Sequence, residues 1–179
     1  LQLSNDAAFI NKQQNMVISS DMMIEDVHFD KLDDPFCLAQ KLLRVNLSDI
    51  AAMGAQPYGY ILNLSIPKLN HELWLKRFCR GLAKDSEKFN LKLFGGDLGS
   101  SKNIFMSVTI LGLVSKKFHK NMIAHEGSEI FVSDTLGDAG IGLQIKKGKF
   151  SKLKKSEKFF FLSKFNTPLP QIKLGKSLI

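Results

Sequence analysis

The chain has 179 residues, 44% of them hydrophobic and 23% charged, with a formal net charge of +8. That balance excludes a disordered or fibrous chain and fits one domain, or one domain and part of another. No apolar run approaches the roughly 18 residues that a bilayer span needs, and the opening LQLSNDAAFINKQQ lacks the basic and apolar regions of a secretion signal.

In chain order, Ala7–Ile10 and Met16–Met22 are short apolar runs parted by the polar NKQQN, which predicts two strands joined by a turn. From Pro35 to about Met53, Leu38, Leu42, Val45 and Ile50, with Leu43 and Leu47 beside them, recur at helical spacing. Asp33 or Asp34 caps that helix, Pro35 suits its first turn, and Gly54 and Pro57 end it. Tyr58–Pro67 reads as a strand. A helix over Glu72–Lys88 follows, with Leu73, Leu75, Phe78, Cys79 and Leu82 on its apolar side. Leu91–Phe94 is a strand running into a turn at Gly95–Gly96–Asp97, and Ile104–Leu113 is another strand.

Strands that come in adjacent pairs around two helices imply an α/β (α+β) fold, with a mixed sheet flanked by helices, rather than an alternating doubly wound sheet. A boundary falls within Ser115–Glu129. Ile130–Thr135 then opens a second α/β unit as a strand, and the glycines of Gly137–Gly142 fit tight helix–sheet packing. The tail NTPLPQIKLGKSLI places a short helix after two prolines. Cys37 and Cys79 have no CxxC spacing and read as buried small apolar residues in a reducing cytoplasm. The positive excess concentrates in Lys146–Phe165. Without an aromatic-and-basic stacking pattern, this is a solvated lysine-rich helix face, and a nucleic-acid-binding role ranks last.

Four acidic positions sit at the ends of apolar runs: Asp6, Asp21 (after Ser19 and Ser20), Asp49 and Asp97. Singly each has a structural explanation as a cap, a turn residue or a solvated edge. Gathered in one small space they would repel one another unless a hard, oxygen-seeking cation such as magnesium neutralised them. Asn46 and Asp49 are three residues apart on the first helix and share a face. Gly95 and Gly96 would let backbone N–H groups approach a phosphate closely. There is no GxxxxGK[ST] and no GxGxxG, which excludes a P-loop and leaves no dinucleotide fingerprint. Cys37 and Cys79 lack an activating partner, and His28, His71, His119 and His125 are scattered, so no nucleophilic triad is legible. The inventory favours metal-assisted phosphoryl transfer, in which positioning and charge neutralisation do most of the catalysis.

Five stretches carry a family resemblance: NDAAF, ISSDMMIEDVHF, KLLRVNLSDIAAMGAQP, LFGGD and IFVSDTLGDAGIGL, in that order along nearly the whole chain. The sequence resembles the thiamine-monophosphate kinase family, in the superfamily of aminoimidazole ribonucleotide synthetase, selenophosphate synthetase and a hydrogenase maturation factor. The VNLSDIAAMGA block followed by GGD is the most specific part. The resemblance implies ATP-dependent phosphorylation of thiamine monophosphate to thiamine diphosphate in the cytoplasm, by direct transfer assisted by Mg2+, with ATP as co-substrate. By motif it implies Asp6, Ser19, Ser20, Asp21, Asp49 and Asp97 as metal positions, Gly96 and Asp97 as ATP contacts, and His28 as a contact to thiamine monophosphate. It implies an ATP/Mg-binding and dimerisation domain over 1–116, forming a homodimer through its sheet. Residues 117–179 would begin an incomplete second domain. Nucleic acid and membrane are not implied partners.

The sequence also departs from the family pattern. Asn5 and Ser4 replace the usual aspartate and glycine of the GDD motif, Leu98 and Gly99 replace hydroxyl residues after Gly95–Gly96–Asp97, and Asn121 stands where an ATP-contacting arginine is expected. Lys120 beside it is a poorer substitute, because lysine lacks the bidentate fork. The chain starts on Leu1 and stops after Ile179, before the family segment that carries another metal-binding aspartate. The alternative to an active kinase is therefore a catalytically weak nucleotide- and metal-binding relic, or one half of a split enzyme.

Overall fold

The computed structural model describes residues 8–11, 15–68, 72–114 and 124–179. The chain forms two units: Leu1–Asn121 with Pro170–Ile179, and Met122–Leu169. The first is built on a mixed five-stranded sheet in the order β1-β2-β5-β3-β4, with β1 Ala8–Asn11, β2 Asn15–Ile24, β3 Gln56–Ile66, β4 Lys92–Ser100 and β5 Phe105–Leu113. Only β3 and β4 run parallel, and every other neighbouring pair is antiparallel. Helix α1, Pro35–Ala52, lies between β2 and β3; α2, Glu72–Phe89, links β3 to β4. The α/β class and the mixed sheet expected from the sequence are found.

Alternation along the strands sorts the two faces of the sheet. Val17, Met23, Tyr60, Leu64, Met106, Val108 and Ile110 point to the helices and are at most 6% exposed. Helix α1 lays Leu38, Leu42, Leu43, Leu47 and Ile50 onto that face, and all belong to one continuous core with Phe78 and Leu82 of α2. Asp34, not Asp33, caps α1: its carboxylate accepts the Phe36 N–H at 3.0 Å, with Pro35 at the first turn. Gly54, at φ +66°, turns the chain out of the helix.

Three expectations are corrected here. Helix α2 buries Phe78, Gly81, Leu82 and Asp85, leaving Leu73 72% exposed and Cys79 at the surface, because the face that meets α1 is one step round from the one read off the apolar residues. Cys37 is half-buried rather than buried, and burial is the main cause raising its thiol pKa above the ordinary value. Gly95–Gly96–Asp97 is not a turn. Strand β4 runs through it to Ser100 beside β3.

That passage depends on glycine. Gly95 and Gly96 sit at φ +156° and +151°, outside the range L side chains adopt comfortably. A Cβ on Gly96 would lie 1.7 Å from the Leu62 carbonyl oxygen, whereas one on Gly95 would meet nothing within 4 Å. Gly95→Ala is expected to cost about 1–3 kcal/mol of backbone strain. Gly96→Ala is expected to cost clearly more and to loosen β4 from β3, as read by urea denaturation and by amide exchange on Leu62 and Asp97.

In the second unit, α3 Asp138–Lys146 packs on α4 Lys155–Asn166. Gly142 makes the close approach: a Cβ there would strike the Phe161 carbonyl. Gly142 thus serves helix–helix packing, not the helix–sheet packing expected, whereas a Cβ on Gly137 or Gly140 would meet nothing within 4 Å. Ile130–Thr135 forms no strand. Ile130 and Phe131 are 97% and 84% exposed, and among the described residues the stretch has no strand to pair with. Lys164 forms an ion pair with Asp134 and holds that carboxyl below its ordinary pKa range. Of the lysines of α4, Lys155 is exposed as expected, while Lys158 and Lys164 are partly buried, Lys158 donating to the Ser151 carbonyl. Helix α5, Ile172–Ser177, belongs with the first unit. Its Gly175 lies so close to α1 that a Cβ would meet the Ala51 carbonyl at 2.0 Å. No helix among the described residues is long and apolar enough to cross a membrane.

Candidate functional site

The site forms where β2 crosses the C-terminal half of α1. Ser19 is buried on the helix face of β2, and its hydroxyl donates to the Asp49 carboxylate at 2.5 Å. Two residues along, on the same face, is Asp21, which is exposed. Its backbone N–H donates to Asn46 Oδ1 at 3.0 Å, and Asn46 Nδ2 donates to the Leu42 carbonyl at 2.8 Å. Asn46 is completely buried and Asp49 half-buried. Strand and helix are thus joined by two hydrogen bonds, each running between ISSDMMIEDVHF and KLLRVNLSDIAAMGAQP.

The other predicted positions lie elsewhere. Ser20, by the same alternation, points to the opposite face of the sheet, where its hydroxyl bonds the Val108 carbonyl and Thr109 Oγ1 at 3.1 and 3.0 Å. Asp97 is exposed on β4 and in register with Asn63. Because β5 and β3 stand between β2 and β4, Asp97 and Asp21 are three strand spacings apart, about 14 Å across the sheet. Asp6, Asn5, Lys120 and Asn121 lie outside the described residues. Within them, no three His, Cys, Asp or Glu side chains gather as a ready metal shell. The oxygen donors Ser19, Asp21 and Asp49 have the chemistry of a hard-cation site. The side chain of Ser20 does not share that face.

His28 sits in the tight turn after β2. Its Nδ1 accepts the Ile24 N–H at 3.0 Å, so the proton resides on Nε2, which the exposed ring presents to solvent as a donor. Nearby Glu25 is structural: buried to 4% exposure, it accepts the Ile104 N–H at 2.8 Å and ties the end of β2 to the start of β5.

Reading the sequence for chemistry misses the ionic clamp behind the site. Asp85 of α2, wholly buried, receives Arg44 Nε at 2.5 Å, Arg44 Nη2 at 2.9 Å and Gln40 Nε2 at 2.7 Å, all from α1. The Arg44 guanidinium also lies 5.9 Å from the Phe89 ring centroid. One signal was available. Gln40 and Arg44 are one turn apart among Leu38, Ala39, Leu42, Leu43 and Leu47, and Asp85 continues the Phe78–Leu82 face of α2.

A mixed sheet with both helices on one face, and serine, asparagine and aspartate joined where β2 meets α1, defines an α/β domain of one known architecture. The family model described as "AIR synthase related protein, N-terminal domain" matches residues 4–114, and the chain belongs to that family. Among its relatives, the thiamine-monophosphate kinase of Haemophilus influenzae is 36% identical over 185 residues, covering 100% of this chain and 55% of the relative. The crystal structure of thiamine-monophosphate kinase from Stenotrophomonas maltophilia superposes with a TM-score of 0.84 at 31% identity, covering 99% of this chain and 58% of that one. "AaThiL complexed with AMPPCP and TMP" gives a TM-score of 0.85 at 24% identity, covering 98% and 57%, and shows the shared fold. The chain spans about half the length of the curated relatives it matches.

Proposed function

We propose that this chain is the ATP- and magnesium-binding part of a thiamine-monophosphate kinase acting in the cytoplasm. The reaction moves the γ-phosphoryl group of ATP onto a phosphate oxygen of thiamine monophosphate: one P–O bond forms, the bond to the β-phosphate oxygen breaks, and ADP and thiamine diphosphate result. The observation that carries this reading is the joined cluster of Ser19, Asp21, Asn46 and Asp49, found in a chain 36% identical along its whole length to a thiamine-monophosphate kinase.

Asp21 and Asp49 would hold Mg2+, with Ser19 orienting Asp49; the ion, when bound, neutralises polyphosphate charge. Asp6 and Ser20 remain candidate ligands by motif. Gly96 and Asp97 are proposed to meet ATP, where the absence of side chains at Gly95 and Gly96 exposes backbone donors to phosphate oxygens. His28 offers its Nε2–H to the phosphate of thiamine monophosphate. A homodimer is proposed through the sheet surface that the helices leave bare, where Met22, Ile61 and Phe94 are 39–52% exposed.

The test separates binding from turnover. Calorimetry is expected to show ATP binding that requires Mg2+. Residues 1–179 alone are expected to form thiamine diphosphate only slowly, because the chain spans 55% of its relative. ATP binding indifferent to Mg2+ would overturn the proposed site. Rapid thiamine diphosphate formation by this polypeptide alone would overturn the expected dependence on further residues.

A further inference from the structure

We infer that Asn46 is a positioning residue for the cation site, holding the strand that carries Asp21 against the helix turn that carries Asp49; this rests on the function proposed above. Among the described residues, the pairing of β1 with β2 reaches only Ile18. Past that point Asn46 Oδ1 takes the Asp21 N–H at 3.0 Å, while its Nδ2 is fixed on the Leu42 carbonyl at 2.8 Å. Doing both at a completely buried position requires one acceptor and one donor on the same short side chain, which a carboxamide has. Aspartate lacks the donor and would add a third negative charge beside Asp21 and Asp49. Serine has a hydroxyl that bonds the carbonyl one turn back but cannot span to the strand. Glutamine is a methylene too long for a filled site. Asp49 follows Asn46 by less than one turn, so the Asp21–Asn46 bond and the Ser19–Asp49 bond together set the backbone that carries Asp21 relative to the Asp49 carboxylate.

The test titrates ATP into the whole chain at a series of Mg2+ concentrations and records thermal unfolding alongside. Asn46→Ala and Asn46→Ser are expected to raise the Mg2+ concentration for half-maximal ATP binding by about tenfold or more, as losses of groups that orient metal ligands do. Leu43→Ala, which hollows the core of the same helix, is expected to lower Tm and leave the Mg2+ midpoint within about twofold. A wild-type midpoint in both Asn46 variants, or an equal shift in Leu43→Ala, would overturn the inference. So would failure of both Asn46 variants to fold, which would assign the residue to the fold alone. Asp49→Asn separates the two levels: loss of Mg2+ dependence there with normal Asn46 variants sinks only the positioning role, whereas a wild-type chain indifferent to Mg2+ sinks the proposed function and this inference together.

Discussion

Asp85→Ala is expected to destabilise the unit containing the sheet by about 3–5 kcal/mol, the usual cost of leaving one partner of a buried ion pair alone. Arg44 is 8% exposed and Asp85 fully buried, so water cannot replace the lost carboxylate. The loss also removes the acceptor for Gln40 Nε2. The triple replacement Gln40→Leu, Arg44→Met and Asp85→Leu is expected to recover most of that stability, because well-packed apolar groups avoid the desolvation that the charges suffer. Urea denaturation of the two variants against the wild type measures both outcomes. A single Asp85→Ala that unfolds within about 1 kcal/mol of the wild type would mean that the clamp contributes little to the α1–α2 contact. The clamp matters for the site because α1 carries Asn46 and Asp49. A helix held on one side by α2 and on the other by the sheet has little freedom to rotate its carboxylate away from β2.

Asp49→Asn is expected to lower Mg2+-dependent ATP affinity by about 100-fold or more, beyond the 10–100-fold typical of losing a group that only orients a ligand. The fold is expected to survive within about 1 kcal/mol, since the amide oxygen can still accept the Ser19 hydroxyl. This separation of stability from binding gives the prediction its force. Calorimetric titration with and without Mg2+, together with a thermal melt, decides it: a stable variant with unchanged affinity would exclude Asp49 from the cation site. The comparison with Asp85→Ala is informative in the opposite sense. There the loss falls on stability, and any weakening of ATP binding should disappear once the unfolded fraction is accounted for.

How much of this was legible beforehand depended on the range of the interaction. Helix α1 was readable because its apolar residues recur at 3.6-residue spacing and because Asp34 and Pro35 start it. The packing face of α2 is only partly legible in its sequence, because Leu73 and Cys79 are as apolar as the residues that pack. Only the approach of α1 to Gly81 shows which face is used, since a Cβ there would meet the Phe36 carbonyl at 2.3 Å. Gly95–Gly96 carried an ordinary turn signal. Its place inside β4 follows from parallel pairing with β3, a partner some 30 residues earlier that local pattern does not specify. Ile130–Val132 has strand composition, yet composition supplies no neighbour, and a strand without one does not form.

The candidate site divides in the same way. Sequence alone determined the residue types, the motif blocks and their order, because these are local choices of side chain; it therefore determined the family and the chemistry to look for. Tertiary structure alone decided which of those residues meet. Hydrogen bonds between β2 and α1 bring Ser19 to Asp49 and Asp21 to Asn46, strand alternation turns Ser20 to the other face, and the strand order sets Asp97 three strands away. Those are consequences of pairing and packing between segments 25 to 90 residues apart in the chain, and no local pattern in a single sequence encodes a distance of that kind.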